Sequence, residues 1–426
     1  MTNDTAQPVT NEKARIGAPG QAIVGMNEEG ENLSTDNVST EQHGAKAHSH
    51  GGGAGVSDSS RAGRLTSYNL SDFPALTGRE EDWRFTPLNR LAGLHTDELT
   101  GPAPTVQVEK PDAVRVETVG RDDARIGVAA IPDDRVSASA WASFKEATVV
   151  TIPSELEVDS EITVTLTGAG MDPAASHVLI QAEKFSRSVV VLDHRGSAVV
   201  AENVEMDIQD GAQLTVVSIQ DWDDETVHAS AQQAKIGRDA KLKHVIVSLG
   251  GDVVRVTPSS RFAGPGGDVE MFGLYFADAG QHFEQRLFVD HAVPNCKSRV
   301  SYKGALQGQD ARTVWVGDVL IRKEAEGTDT YEVNRNLVLS DGARADSVPN
   351  LEIETGLIEG AGHASTTGRF DDEQLFYLQS RGIPEDVARR LVVRGFLNEI
   401  IQQIRVPALE ERLQAAVERE LEAGDY

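Results

Sequence analysis

The chain has 426 residues, with 40 Lys and Arg against 67 Asp and Glu, so its formal net charge is -27 at pH 7. This negative surface argues against non-specific binding to nucleic acid or to an anionic membrane, because both need a basic face on the protein. The single cysteine, Cys296, excludes an intramolecular disulfide and any metal site built from this chain's cysteines alone.

Residues 1–65 are expected to form a disordered acidic and polar tail, because they bury too little apolar surface to offset their ordering entropy. The start of the tail lacks the pattern of a signal peptide. No apolar run in the chain reaches the roughly 18 residues that cross a bilayer. We therefore expect a cytoplasmic protein. His48 and His50 are too few for a metal site, and a solvated tail is the favoured interpretation.

Residues 66–146 are expected to form a small N-terminal domain of mixed, largely helical structure. Leu88, Leu91 and Leu94 would share one side of a short helix, and a second helix is predicted near residues 138–146. Trp83 is interpreted as a packing residue, because a domain of this size needs a large aromatic side chain in its core.

Residues 147–370 show the alternation of apolar and polar residues that is typical of β-strands. Val204, Met206 and Ile208 illustrate the pattern, and Gly and Asp residues punctuate the strands throughout. No long helical pattern interrupts these residues. Together they make a great deal of strand for one open sheet.

A weak repeat runs through this region. Leu214, Leu242 and Val269 each follow a tight turn and lie 28 and 27 residues apart. Later copies of the turn, at residues 310–314 and 342–345, lose this spacing. One coil of β-structure per repeat would stack into a β-solenoid, whereas ordinary hairpins would give a sandwich, and periodicity alone leaves both open.

Residues 371–426 are expected to form a C-terminal helical domain. Pro384 suits the first turn of a helix. An apolar stripe at helical spacing follows it, in which Phe396, Leu397, Ile400 and Ile401 are prominent. This stripe is interpreted as part core and part binding surface.

Signatures of common catalytic sites are absent, including a phosphate-binding GxxxxGK[ST] loop, an HExxH zinc motif and a GxSxG nucleophile turn. The informative stretches are VPNLEI at 348–353, GAGHASTTG at 360–368 and DDEQLFYLQSRGI at 371–383, with support from EDWRFTPL at 81–88, NCKSRVSYKG at 295–304 and NLVLS at 336–340. These motifs resemble the SufB and SufD proteins of the SUF iron–sulfur cluster assembly system. The resemblance covers residues 66 to about 405.

The resemblance implies a mainly β fold, a right-handed parallel β-helix flanked by N-terminal and C-terminal helical regions, which favours the solenoid. It further implies a non-catalytic scaffold subunit that binds an iron–sulfur cluster transiently. The implied partners are a SufB-type subunit, bound through the β-helix, a SufC-type ABC ATPase, bound through the C-terminal helices, and the apo-proteins that receive clusters.

His363 is the candidate ligand of iron or of the cluster, shared with SufB, because imidazole suits iron and small residues surround it in what is predicted to be a loop. SufB proteins carry an acidic residue directly after this histidine, where this chain has Ala364. Some SufD proteins have a cysteine two positions before it, where Ala361 stands. The chain is therefore more similar to SufD, with His363 as the one ligand from this segment. Cys296 is interpreted as a small buried residue.

Two other functions remain open on the sequence. A SufB-like subunit would nucleate the cluster itself, but the lone cysteine and Ala364 argue against it. A carbohydrate-active β-helix enzyme would need paired carboxylates along a groove, and the helical C-terminus speaks against that class.

Overall fold

The computed structural model describes residues 61–96, 98–369 and 372–423. Within them the strands form two nine-stranded sheets. The first sheet holds, in spatial order, β1 (Thr105–Glu109), β4 (Glu157–Thr167), β6 (Arg187–Gly196), β8 (Gln213–Trp222), β10 (Lys241–Ser248), β12 (Asp268–Ala277), β14 (Lys297–Leu306), β16 (Asp329–Val338) and β18 (Gly360–Arg369). The second sheet holds β2 (Arg115–Gly120), β3 (Glu146–Ile152), β5 (Gly170–Ala182), β7 (Ala198–Ile208), β9 (Val227–Ile236), β11 (Val253–Phe262), β13 (His282–His291), β15 (Arg312–Ile321) and β17 (Arg344–Ile353).

From β3 onward, successive strands alternate between the two sheets, and every strand pairs in parallel with its neighbours from the adjacent coils. One coil therefore contributes one strand to each sheet, and about 8 such turns form the solenoid. This arrangement confirms the predicted β-helix.

The predicted repeat corresponds to the stacking of these coils. Leu214 in β8 pairs in register with Leu242 in β10, and Leu242 pairs with Val269 in β12. Each of the three side chains points into the solenoid, where an apolar residue in the same place on successive coils builds a continuous core.

The two later copies of the turn precede strands of the second sheet, β15 and β17, rather than of the first. The coil is longer there, but the stacking in register is kept, since Arg312 pairs with Arg344, 32 residues further along the chain. Each turn holds a residue in the left-handed region, with φ of 70° at Gly211, 54° at Asp239 and 87° at Gly342. Glycine and aspartate tolerate this conformation, which explains why they punctuate the strands.

The N-terminal region packs on the outer face of the second sheet. Its main helix, α1 (Arg135–Ser143), begins three residues before the helix predicted from sequence, because the Asp134 carboxylate accepts a 2.7 Å hydrogen bond from the Ser137 amide and caps the first turn. The predicted helix at 88–94 is only a short 3₁₀ turn, Leu88–Arg90. Trp83 is buried, as expected, with the Arg255 guanidinium 3.9 Å from its ring.

Two further features of this region differ from the sequence-based expectations. Strands β1 and β2 fall within the predicted N-terminal domain, yet they extend the two sheets by antiparallel pairing. Residues 1–60 of the predicted tail, with His48 and His50, lie outside the described residues. The last part of that tail is in contact with the solenoid, since Arg61 forms ion pairs with Asp82 at 2.7 Å and Asp318 at 3.1 Å.

Three helices follow β18: α2 (Asp372–Ser380), α3 (Glu385–Ile401) and α4 (Pro407–Ala423). The apolar sides of α3 and α4 cover the outer face of the first sheet, where Leu397, Ile400 and Ile401 are fully buried against the strands. The apolar stripe is thus largely core rather than a free binding surface. In the part of the chain that the structure describes, no helix is both long and apolar enough to span a membrane.

Candidate functional site

The last coil of the solenoid leaves both sheets open. Strands β17 and β18 are the edge strands at this end, and each is ten residues long. We call this end, formed by β17 and β18, the open end. Most residues of the two strands are only half-buried or exposed, so the open end presents backbone hydrogen-bonding groups together with the side chains that point into the solenoid.

Polar side chains line the interior beneath the open end. On β16, Glu332, Asn334 and Asn336 alternate inward, and they pair in register with His363, Ser365 and Thr367 of β18. The two asparagines are well satisfied: Asn334 Nδ2 donates to Tyr275 Oη at 2.8 Å, and Asn336 Nδ2 donates to Ser347 Oγ at 2.9 Å. An amide ladder therefore supports the interior of the last two coils.

Glu332, unlike the two asparagines, has no side-chain hydrogen bonds. Its side chain is fully buried, and neither carboxyl oxygen has a hydrogen-bond partner. Gly317 of β15 makes room for the group, because a Cβ atom there would clash with Glu332 Oε2 and with the Trp315 ring. A buried carboxyl with no partner is costly, so its presence indicates a role other than stability.

Burial, reinforced by the negative charge of Asp318, raises the pKa of Glu332 to about 8. At neutral pH the carboxyl is therefore mostly protonated in this environment. A cation at the open end would favour the ionised form, because opposite charge within a few ångströms stabilises the carboxylate.

His363 lies beside Glu332 across the pairing of β16 with β18. Its Nδ1 atom lies 3.6 Å from Glu332 Oε1, which is too long for a hydrogen bond, and its side chain is 42 % exposed. The His363 side chain thus reaches solvent, whereas the Glu332 side chain is shielded from it. The two side chains together offer one imidazole and one carboxyl to a cation at the open end.

The other residues singled out from the sequence have definite places. His363 lies in strand β18, and the prediction that it sits in a loop is wrong, because the backbone of residues 360–369 is held by parallel pairing with β16. Ala361 packs against the core. Cys296 is buried, and burial raises the pKa of its thiol, as expected of a structural cysteine.

Glu332 was not identified from the sequence. In the run TYEVNRN at 330–336 its neighbours Tyr331 and Val333 are apolar, so simple alternation places Glu332 on a solvent-facing side. The sequence did carry one signal of an unusual interior. Polar residues stand at every second position of this strand, at Thr330, Glu332, Asn334 and Asn336, while apolar residues lie on its other face.

Comparison of the sequence with known proteins identifies the family. Residues 164–396 match the family model described as SUF system FeS cluster assembly, SufBD core domain, and this span includes His363 and Glu332. An iron–sulfur cluster assembly SufBD family protein of Mycobacterium tuberculosis is 59% identical over 367 residues, which cover 84% of this chain and 92% of the relative.

Two other relatives agree. A SufBD family protein of Mycobacterium leprae is 56% identical, over 84% of this chain and 94% of its own length. The iron–sulfur cluster assembly protein SufD of Escherichia coli is 24% identical over 82% of this chain and 90% of its own length. These similarities and the β-helix agree with the resemblance found in the sequence motifs. The chain belongs to the SufBD family of iron–sulfur cluster assembly proteins.

Proposed function

We propose that this protein is a cytoplasmic, non-catalytic scaffold subunit of the SUF system that joins a SufB-type subunit and a SufC-type ATPase. In this role it helps to build iron–sulfur clusters and to transfer them to apo-proteins. The observation that carries the proposal is the open end of the β-helix, with a half-exposed histidine above a buried, unpartnered carboxyl.

The open end supports pairing with a second β-helix. Two ten-residue edge strands, β17 and β18, offer unpaired backbone groups that a partner's strands can extend. A SufB-type partner, expected to share the β-helix fold, would continue both sheets. The junction would then bury the polar residues that the last coil leaves exposed.

The donor atoms support a shared ligand set for the cluster, which is the cargo of the assembly. His363 and Glu332 supply one nitrogen and one oxygen, and both suit iron, but two ligands do not complete a site. The remaining ligands would come from the SufB-type subunit. This requirement makes the cluster a product of the complex rather than of the isolated chain.

The C-terminal helices support docking of the SufC-type ATPase, but not through the surface expected from the sequence. Because α3 and α4 cover the first sheet, most of the apolar stripe is unavailable to a partner. Helix α2 instead carries Phe376 and Tyr377, which are 73% and 56% exposed. Exposed aromatic side chains are typical anchors of protein interfaces.

Coexpression with SufB-type and SufC-type subunits tests the assembly. We expect a tag on this chain to recover both partners. The Ser365→Lys variant places a charge at the open end and should lose the SufB-type subunit while it keeps SufC, because an inward-pointing charge blocks strand pairing. Ser365→Ala is the matched control and should recover both. Equal recovery of SufB with Ser365→Lys and Ser365→Ala would contradict pairing through the open end.

A further inference from the structure

A second cluster of potential ligands lies inside the solenoid, on other strands than the open end. His194 of β6, Glu202 of β7 and His228 of β9 point into the interior, and each side chain is at most 1% exposed. Ligand atoms of the three residues all lie within 4.8 Å of one another. Since β6 belongs to the first sheet and β7 and β9 to the second, the cluster bridges the two sheets.

The hydrogen-bond network favours a hydrogen on Nδ1 of His228. Trp222 Nε1 can only donate, and it donates to Gln220 Oε1 at 2.9 Å, so the atom that faces it is an oxygen. Nδ1 of His228 lies 2.7 Å from the same oxygen and must carry a hydrogen to donate to it. Trp222 Nε1 also lies 3.1 Å from this Nδ1, but an Nδ1 that carries a hydrogen cannot accept from it, so Trp222 donates through its shorter contact to Gln220.

The same logic applies to His194. Its Nδ1 atom lies 3.0 Å from the backbone oxygen of Ile219, which can only accept, so this Nδ1 also carries a hydrogen. Nε2 of Gln220, which lies 3.3 Å from the same Nδ1, then donates to Ser218 Oγ at 3.0 Å instead. In the neutral form of each ring, Nε2 is then a bare lone pair. Both Nε2 atoms face the Glu202 carboxylate, and Nε2 of His228 has no hydrogen-bond partner although the residue is fully buried.

Two lone pairs and a carboxylate that converge in a dry interior need a cation between them. The two distances from the imidazoles to the carboxylate fit a metal ion. Nε2 of His194 and Nε2 of His228 lie 3.1 Å and 3.4 Å from Glu202 Oε2. Ligand atoms bound at about 2.0–2.1 Å in tetrahedral geometry are roughly 3.3 Å apart.

The surroundings resemble the support that metal ligands need. The Ile219 carbonyl and Gln220 orient the two imidazoles through Nδ1, and Ser230 Oγ donates to Glu202 Oε2 at 2.8 Å. Partners of this kind fix the tautomer and the ring orientation of metal-binding histidines.

We propose that His194, Glu202 and His228 bind a divalent transition-metal ion inside the β-helix, where it links the two sheets. Two imidazoles and one carboxylate form a donor set that suits Zn²⁺ and Fe²⁺. The site is independent of the proposed scaffold role, since it uses none of the residues at the open end. The competing occupant is a proton on His194, which would form an ion pair with Glu202.

Zinc is the probe that tests the proposal. The full chain is produced in zinc-supplemented medium, dialysed against EDTA under native conditions, and assayed for bound metal by mass spectrometry. We expect close to one zinc per chain in the wild type and at least a tenfold loss in His228→Gln. X-ray absorption should show nitrogen and oxygen neighbours at about 2.0–2.1 Å.

Two controls separate this site from other histidines. His244→Gln changes another fully buried histidine, whose Nε2 lies 2.8 Å from Gln232 Oε1, and should keep the zinc. The double variant His48→Ala/His50→Ala removes two of the three histidines of the N-terminal segment, where His43 is the third, and should keep the zinc too. The proposal is overturned if the dialysed wild type holds no zinc, or if His228→Gln holds as much as the wild type. A protonated His194 would then account for the cluster.

Discussion

The two ends of the β-helix differ in how they finish the core. We call the end opposite the open end, where β1 and β2 lie, the first end. There these short strands, of five and six residues, pair antiparallel with the two sheets. The inward side chains there are apolar and fully buried, as Val150 and Ile162 illustrate. At the open end the edge strands have ten residues each, and inward residues such as His363 are polar and exposed.

This difference shows that the first end is a completed core, and it supports the proposal that another protein completes the open end. Short edge strands are a common protection against unwanted pairing, and the open end lacks it. The unpartnered Glu332 carboxyl lies just beneath this unprotected end. Natural proteins retain costly features of this kind mainly at functional sites.

The largest expected effect is on stability at the first end. Ile162→Ala removes a fully buried side chain from a well-packed interior and should lower the free energy of unfolding by about 2–5 kcal/mol. His363→Ala at the open end should change it by no more than about 0.5 kcal/mol, because the side chain is half-exposed and its 3.6 Å contact with Glu332 is not a hydrogen bond. Urea denaturation of the isolated chain measures both. Equal losses at the two ends would contradict the comparison.

Substitution of Glu332 sharpens the comparison, because it should raise the stability of the chain and impair its function. Glu332→Met should raise the free energy of unfolding of the isolated chain by about 1–3 kcal/mol, since it removes a buried polar group without partners. The same variant should retain less iron in the assembled complex.

Asn334→Leu is the matched control for Glu332→Met on the same strand. It should destabilise the chain, because Tyr275, Ser347 and Asn336 would lose a partner. If Glu332→Met destabilises the chain as much as Asn334→Leu does, the carboxyl has partners in solution and our account of it is wrong.

A smaller effect is expected at α2. The double variant Phe376→Ala/Tyr377→Ala should weaken SufC binding by at least about 1 kcal/mol, or about fivefold, with no change in unfolding, because both rings are exposed. Calorimetric titration with the SufC-type ATPase measures the change. Gln379→Ala on the same helix is the control. Unaltered SufC affinity in the double variant would place the docking surface elsewhere.

The smallest expected effect concerns ATP. The isolated chain should hydrolyse ATP no faster than a blank, because its sequence contains no phosphate-binding loop of the GxxxxGK[ST] type. Hydrolysis that follows this polypeptide through successive columns, after removal of every ATPase contaminant, would contradict a non-catalytic scaffold.

Much of the fold could be predicted from the sequence, because strand alternation and the Leu214, Leu242, Val269 spacing are local patterns. The placement of the C-terminal helices could not. An apolar stripe shows that Leu397 and Ile400 are covered, but not whether the cover is this chain's own sheet or a partner. The motifs identified the family, yet they left this choice open.

The site was predictable only in part, for a related reason. His363 was found through a motif, but its glycine-rich setting resembles a loop, and only pairing with β16 of the adjacent coil, far away in sequence, makes it a strand. Glu332 could be identified only from the structure, in which the stacking of the coils places it beneath His363 with no hydrogen-bond partner. Satisfaction of a buried group depends on contacts from several coils, which no single stretch of sequence contains.

The central claim is that the open end supplies ligands to a cluster held between two subunits. The most direct test measures iron and acid-labile sulfide in the reconstituted complex with SufB-type and SufC-type partners. His363→Ala should lower both several-fold at unchanged subunit composition, whereas Thr366→Ala, on the same strand, should match the wild type. Wild-type iron and sulfide in the His363→Ala complex would show that the histidine holds no cluster and would contradict the account.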